Sequence, residues 1–281
     1  MIDQSLLEKV IIERSRTSHK GNYGRLLLLG GTYPYGGAII MAALAAVKSG
    51  AGLVIVGTDR ENISALHSHL PEAMAFSLQD QQLLKEQLEK AEVVLLGPGL
   101  RDDAFGEDLV KKVFAGLKQN QILIVDGGAL TILARTSLSF PSNQLILTPH
   151  KKEWEKLSGI TIEKQKEDAT ASALTSFPQG IILVEKGPAT RIWEVGQSDY
   201  YQLQVGGPYQ ATGGMGDTLA GMIAGFVGQF RQASLYERVA VVTHLHSAIA
   251  QELAQEHYVV LPTEISSYLS KIMKKISQKG T

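Results

Sequence analysis

The segment Ala211-Thr212-Gly213-Gly214-Met215-Gly216-Asp217-Thr218, running into the apolar stretch LAGMIAGF (219–226), decides how the rest of the chain is read. Three glycines ahead of a helix start leave several backbone N–H groups unpaired in a small space, at the positive end of the helix dipole. Such a start is an anion hole suited to phosphate, with Gly213, Gly214 and Gly216 supplying amides. Asp217 falls in the first helical turn and admits two readings. As an N-terminal cap it would stabilise the helix by roughly 1 kcal/mol. As a general base it would stand where a transferring phosphoryl group is held. Two common nucleotide motifs are missing. There is no G-x-x-x-x-G-K-[ST] P-loop, and Gly214-Met215-Gly216 continues to Leu219 where a G-x-G-x-x-G fingerprint needs glycine. A P-loop enzyme and a simple dinucleotide oxidoreductase are thereby set aside.

Upstream of this segment, short apolar runs recur, each ending in glycine or a polar turn: 25–30 (RLLLLG), 53–57 (LVIVG), 93–97 (VVLLG), 122–127 (ILIVDG), 145–149 (LILTP) and 181–187 (IILVEKG). Continuous rather than alternating runs indicate strands buried on both faces, as in a parallel sheet covered by helices. Helical stretches lie between them, at 38–48, 83–90, 107–118 and 151–158. The alternation predicts a doubly wound, mostly parallel α/β sheet flanked by helices. After Gly187 the pattern changes. Residues 191–195 and 200–205 flank a polar turn and read as an antiparallel hairpin, followed by helices at 217–230, 236–255 and 263–277. No linker or internal repeat divides the chain, so residues 1–281 read as a single domain.

Ligands of open α/β sheets bind at the carboxyl ends of the strands. Four glycine-bearing segments fall there: Gly30-Gly31 with Gly36-Gly37, Gly97-Pro98-Gly99, Gly127-Gly128, and the 213–216 run. Glycine removes the Cβ that would collide with a closely approached ligand. Two further strand ends carry polar groups. Lys186-Gly187-Pro188-Ala189-Thr190 supplies a cation, amides and a hydroxyl, although Lys186 alone also reads as a solvated turn lysine. Thr148-Pro149-His150 with Glu153 brings His150 and Glu153 to one helical side if a helix starts near His150. The pairs His67/His69 and His244/His246 are spaced i,i+2, which on a helix points them apart, so neither reads as a metal site.

Composition narrows the partners. Among 281 residues, 27 Lys+Arg balance 28 Asp+Glu, which leaves no general electrostatic footprint for nucleic acid or anionic lipid. The absence of Cys removes disulfides, thiolate catalysis and Cys-ligated metal together. The longest apolar run, 38–47, is about half a membrane span, and the first twenty residues carry no signal-peptide core. The chain reads as cytoplasmic, with no membrane and no nucleic-acid partner.

With these residues in hand, the sequence resembles the ribokinase-like fold, and within it the ADP-dependent NAD(P)H-hydrate dehydratases. The segments carrying the resemblance are HKGNYGRLLLLGG (19–31), GGAIIMAALAAVKSGAGLV (36–54), PEAM (71–74), GPGL (97–100), TPHKKE (148–153), EKGPAT (185–190) and ATGGMGDTLAG (211–221). The resemblance implies that Ala38, Gly99, His150 and Asp217 contact the hydrated nicotinamide nucleotide. It implies that Lys186, Gly187, Pro188, Ala189, Thr190 and Gly216 contact the adenine nucleotide. Two departures stand out: Lys151 and Lys152 occupy positions where the family often has Pro-Gly, and Met215 stands where it often has Thr.

The chemistry that the resemblance implies fits these residue types. Hydroxide leaves a reduced ring poorly, but phosphorylation turns that oxygen into a good leaving group. ADP and the S epimer of NADHX or NADPHX would give AMP, phosphate and NADH or NADPH. In that scheme Asp217 accepts the hydroxyl proton and the 213–216 amides stabilise phosphoryl charge. Mg²⁺ is expected on the phosphates, with Glu153 reached through water; ATP stands as an alternative donor to ADP. The resemblance further implies a homotetramer. An ordinary small-molecule kinase of the same superfamily, acting on a vitamin precursor or sugar, is the rival reading.

Overall fold

Strand β1 (Arg25–Leu29) shows why its apolar run is unbroken. Leu26 and Leu28 enter one core while Leu27 and Leu29 enter another on the opposite sheet face. The same division holds along the neighbouring strands, with Val93 and Leu95 on the first side and Val94 and Leu96 on the second. Successive side chains of a strand point to opposite faces, so a sheet covered by helices on both needs apolar residues at every position.

The structure, a computed structural model, describes residues 2–136, 138–141 and 143–279. Met1, Ser137, Ser142, Gly280 and Thr281 of the expected 1–281 unit lie outside the described residues. In chain order the elements are α1 (Gln4–Val10), β1, α2 (Gly36–Lys48), β2 (Leu53–Thr58), α3 (Arg60–His69), β3 (Met74–Ser77), α4 (Gln81–Lys90), β4 (Val93–Leu96), α5 (Ala104–Gly116) and β5 (Ile122–Val125). There follow α6 (Gly127–Arg135), β6 (Gln144–Leu147), α7 (Lys151–Ser158), α8 (Glu167–Leu174), β7 (Ile182–Glu185), β8 (Arg191–Glu194) and β9 (Tyr200–Gln202), then α9 (Met215–Gln229), α10 (Leu235–Leu253) and α11 (Pro262–Ser277). Among the described residues no helix is long and apolar enough to cross a membrane.

The described strands form one nine-stranded sheet in the order β3-β2-β1-β4-β5-β6-β7-β8-β9. The first seven strands of the chain pair in parallel, while β8 and β9 run antiparallel and form the expected hairpin. All six expected strands are present. The short edge strand β3 was not expected, because Met74–Ser77 is a four-residue edge paired on one side only, with Met74 half-exposed. Helices α1, α3, α6 and α8 were likewise not anticipated. Helix α5 starts at Ala104 rather than near Glu107, because the Asp103 side chain accepts the Gly106 amide and caps it.

Helix α9 is buried from Thr218 to Gln229, which explains a composition apolar all round. It lies hard against α2: a β-carbon at Gly221 would sit 2.0 Å from the Ala42 carbonyl oxygen. That contact anchors the helix whose first turn carries the glycine run.

Candidate active site

The sheet order reverses between β1 and β4, and the loops leaving these strands cross there. Gly31 N donates to Pro98 O (2.8 Å) and Thr32 N donates to Gly99 O (2.9 Å). The Thr32 hydroxyl donates to the Gly99 carbonyl (3.1 Å) and accepts from Arg101 N (2.8 Å). The crossing brings Ala38, in the first turn of α2, against Gly99: the Ala38 Cβ is 2.9 Å from where a Gly99 side chain would begin. Beside it opens a concavity of about 600 Å³ lined in part by Tyr35, Leu100, Arg101 and Gly128. Crevices at such a topological switch point are where α/β sheets bind ligands.

The next three strand ends bring together Asp126, Thr148, His150 and Lys186. Lys186 N donates to Pro149 O (2.9 Å), extending the β6–β7 register so that His150 and Lys186 lie side by side. The Lys186 ammonium donates to Asp126 Oδ1 at 2.9 Å, and the same oxygen accepts the Thr148 hydroxyl at 2.6 Å. Asp126 is buried, and Lys186 nearly so. The solvated-turn reading of Lys186 is therefore wrong. A lysine this enclosed is retained because a carboxylate pairs it.

His150 caps α7 and builds a capping box with Glu153. His150 Nδ1 accepts from the amides of Lys152 (3.1 Å) and Glu153 (3.2 Å), while Glu153 Oε2 accepts from His150 N (2.8 Å). Burial is the main cause raising the Glu153 carboxyl to about 7, and burial followed by the Lys186 charge lowers the His150 pKa.

At the start of α9, Gly214 is the N-cap residue and takes the left-handed conformation, φ 92°, that a β-carbon would disfavour. The first bond of the helix runs from Thr218 N to Gly214 O (2.9 Å), so the amides of Gly214, Met215 and Gly216 precede the ladder. Asp217 is not the cap: no side chain caps this helix. Its carboxylate has no ion pair among the described residues, and its one hydrogen bond there is to its own backbone amide. Burial, then the nearby Asp126 charge, raise Asp217 to about 6, against the opposing pull of Lys186. The Lys186 Nζ lies 3.0 Å from where a Gly216 side chain would begin, so cation, helix start and carboxylates form one cluster.

From this cluster a cleft of about 660 Å³ runs between the β7–β8 turn and α10. Lys186, Gly187, Pro188 and Thr190 line it; Ala189, expected with them, does not. The turn is held from behind by buried Glu185, which accepts from Arg191 (2.6 and 3.0 Å), Trp193 Nε1 (3.1 Å) and Thr170 (3.2 Å). Across the cleft stands His246, buried and lowered to about 4 chiefly by burial, with its Nε2 unpartnered among the described residues. Sequence reasoning passed over two of these residues. Asp126 closes the run ILIVDG directly before a glycine pair, the same strand-end signal that drew attention elsewhere. His246 was weighed only as half of a metal pair.

Among the described residues no group of three or more His, Asp or Glu could hold a metal ion. Asp126 is engaged by Lys186 and Thr148, and Glu153 by the His150 amide. The donor set fits Mg²⁺ carried on a ligand's phosphate oxygens and waters, without a protein cage.

Fold and site together define a ribokinase-like protein, with an open carboxylate beside a glycine-opened helix start. Similarity to known proteins agrees. The chain is 41% identical to a ribokinase-like superfamily protein of Enterococcus faecalis, with a TM-score of 0.94 over 99% of this chain and 96% of that one. It is 27% identical to the ADP/ATP-dependent NAD(P)H-hydrate dehydratase of Bacillus subtilis, a protein co-crystallised with ATP/Mg²⁺, with a TM-score of 0.83 over 98% and 97% of the two chains. It is 90% identical, over 99% of its length and 96% of the relative's, to the ADP-dependent (S)-NAD(P)H-hydrate dehydratase of Streptococcus pneumoniae. The family model described as NAD(P)H-hydrate dehydratase matches residues 26–271. The chain belongs to the NAD(P)H-hydrate dehydratase family.

Proposed function

We propose that this protein repairs hydrated nicotinamide nucleotides, converting the S epimer of NADHX or NADPHX to NADH or NADPH while ADP becomes AMP and phosphate. The observation that carries the reading is Asp217: a half-buried carboxylate with no cation partner among the described residues, in the first turn of a helix whose leading amides are free of the ladder. The adenine nucleotide occupies the cleft lined by Lys186, Gly187, Pro188 and Thr190, with its terminal phosphate at Gly216. The hydrated ring lies toward Ala38, Gly99 and His150. The name of the Streptococcus pneumoniae relative supports ADP as donor, and ATP remains the second candidate.

In the first step the substrate hydroxyl oxygen attacks the terminal phosphorus, the bond to AMP breaks, and the hydroxyl proton passes to Asp217. Amides ahead of the α9 ladder stabilise the developing charge, where one lost donor typically costs about 3–4 kcal/mol of barrier. In the second step the carbon–oxygen bond breaks and phosphate leaves with its electron pair, pushed by the ring-nitrogen lone pair. Loss of a proton from the adjacent ring carbon then restores the double bond. Mg²⁺ bound to the phosphates would neutralise charge during transfer. Lys186 contributes a fixed positive charge and is not the base, because Asp126 holds it protonated. One catalytic unit over residues 1–281, assembled as a homotetramer and working in the cytoplasm, completes the reading.

A superfamily kinase acting on a vitamin precursor or sugar would share Asp217 but release a stable phosphorylated product; membership in the dehydratase family weighs against it. The test is incubation with ADP, Mg²⁺ and hydrated NADH. Recovery of the reduced ring's near-ultraviolet absorbance, with one AMP per ring, is expected. Accumulation of a phosphorylated hydrate, or no reaction, would overturn the proposal.

A further inference from the structure

The proposal that Asp217 takes the substrate proton raises a question that its surroundings answer. A lysine ammonium lies within electrostatic range, and a carboxylate paired with a cation is a poorer base. Yet the Lys186 ion pair is made with Asp126, at 2.9 Å, and Asp217 has none among the described residues. The partition is built into the sheet. Asp126 and Lys186 sit at the ends of β5 and β7, with β6 between them. From the end of β6 Thr148 donates to the same Asp126 oxygen at 2.6 Å, holding that oxygen toward Lys186.

We infer that Asp126 is a positioning residue for catalysis: it holds Lys186 to itself beside the start of α9, and so leaves Asp217 free of a cation and able to accept the substrate proton. This inference rests on the proposed role of Asp217. Among the described residues the side-chain charges that act on Asp217 are two, Asp126 from the end of β5 and Lys186 from the end of β7. On α10, His246 is kept neutral by burial. On α7, Glu153 acts on Lys186 rather than on Asp217. The first turn of α11 carries Glu264, which accepts from Leu261 N and faces His257, and the lysine of α2, Lys48, lies at that helix's far end.

The sign of the effect follows. Removing the Asp126 charge deletes a like-charge repulsion and releases Lys186 toward Asp217, and both lower the Asp217 pKa. A base works only when deprotonated, so activity of the unmodified enzyme falls as pH drops through about 6. With a lower pKa that fall moves to lower pH. The weaker base also abstracts the proton more slowly, which lowers the plateau.

The experiment is the pH profile of kcat/KM for hydrated NADH at saturating ADP, measured on the unmodified enzyme, Asp126→Asn and Asp217→Asn. Asp126→Asn is expected to shift the acid limb down by about one pH unit and to lower the plateau several-fold. If Asp126→Asn fails to fold, Lys186→Gln gives the complementary reading. It removes the cation that pulls the Asp217 pKa down, and the limb moves up. An unmoved limb in a folded Asp126→Asn, or in Lys186→Gln where that variant stands in, overturns the inference while leaving Asp217 as the base. An unmodified enzyme with no acid limb, together with an active Asp217→Asn, overturns the role of Asp217 itself.

Discussion

The corner at Ala38 and Gly99 and the cleft at Lys186 and His246 are built by different means. The corner is main chain: loops after β1 and β4 cross at the switch point and bond each other through Gly31, Thr32, Pro98 and Gly99. Its shape depends on what has no side chain. The cleft is assembled from distant segments, the β7–β8 turn, the 205–216 connection and α10, and is held by buried side-chain pairs such as Asp126–Lys186 and Glu185–Arg191. Changes of bulk should therefore injure the first region, and changes of charge the second.

The largest effect is expected where the two regions meet. Asp217→Asn keeps the shape of the helix start and the cleft but removes the proposed base, so turnover should fall by at least about a hundredfold with ADP affinity nearly intact. Single-turnover kinetics with a separate binding measurement distinguish this from a capping loss, which would lower the melting temperature instead. An intermediate effect sharpens the contrast. In Gly99→Val the new side chain would begin 2.4 Å from the Tyr35 carbonyl oxygen, at a backbone φ of 64°. KM for the hydrate should rise about tenfold or more while KM for ADP stays put; equal loss on both would erase the distinction between the regions. The smallest effect is expected at Lys151, one of the two lysines that depart from the family pattern. Its side chain reaches the backbone at Gly187, with Cε 3.4 Å from where a side chain there would begin. Lys151→Ala should raise KM for ADP about two- to threefold, an effect that fades with added salt.

Much of this architecture was legible in the residues. The unbroken apolar runs gave the parallel strands because both sheet faces are covered, and the polar turn between 191–195 and 200–205 gave the hairpin, although β8 too is covered on both faces, by way of Ile192 on one side and Trp193 on the other. The glycine run announced a helix start because unpaired amides need a reason. What escaped were elements without such a signature. The edge strand β3 pairs on one side only and buries little, so its pattern is weak.

The sequence by itself determined the six buried strands, the hairpin after them, the glycine-opened helix and the carboxylate in its first turn, because these follow from local periodicity and from backbone groups that must be satisfied. Only the tertiary structure decided which charges meet. Asp126, Thr148, Lys186 and Asp217 span some ninety positions of the chain. Parallel strands bring their ends to one rim, and there a 2.9 Å ion pair assigns the lysine to one carboxylate and leaves the other open. Coulomb's law acts on distance through space, which no spacing along a chain records.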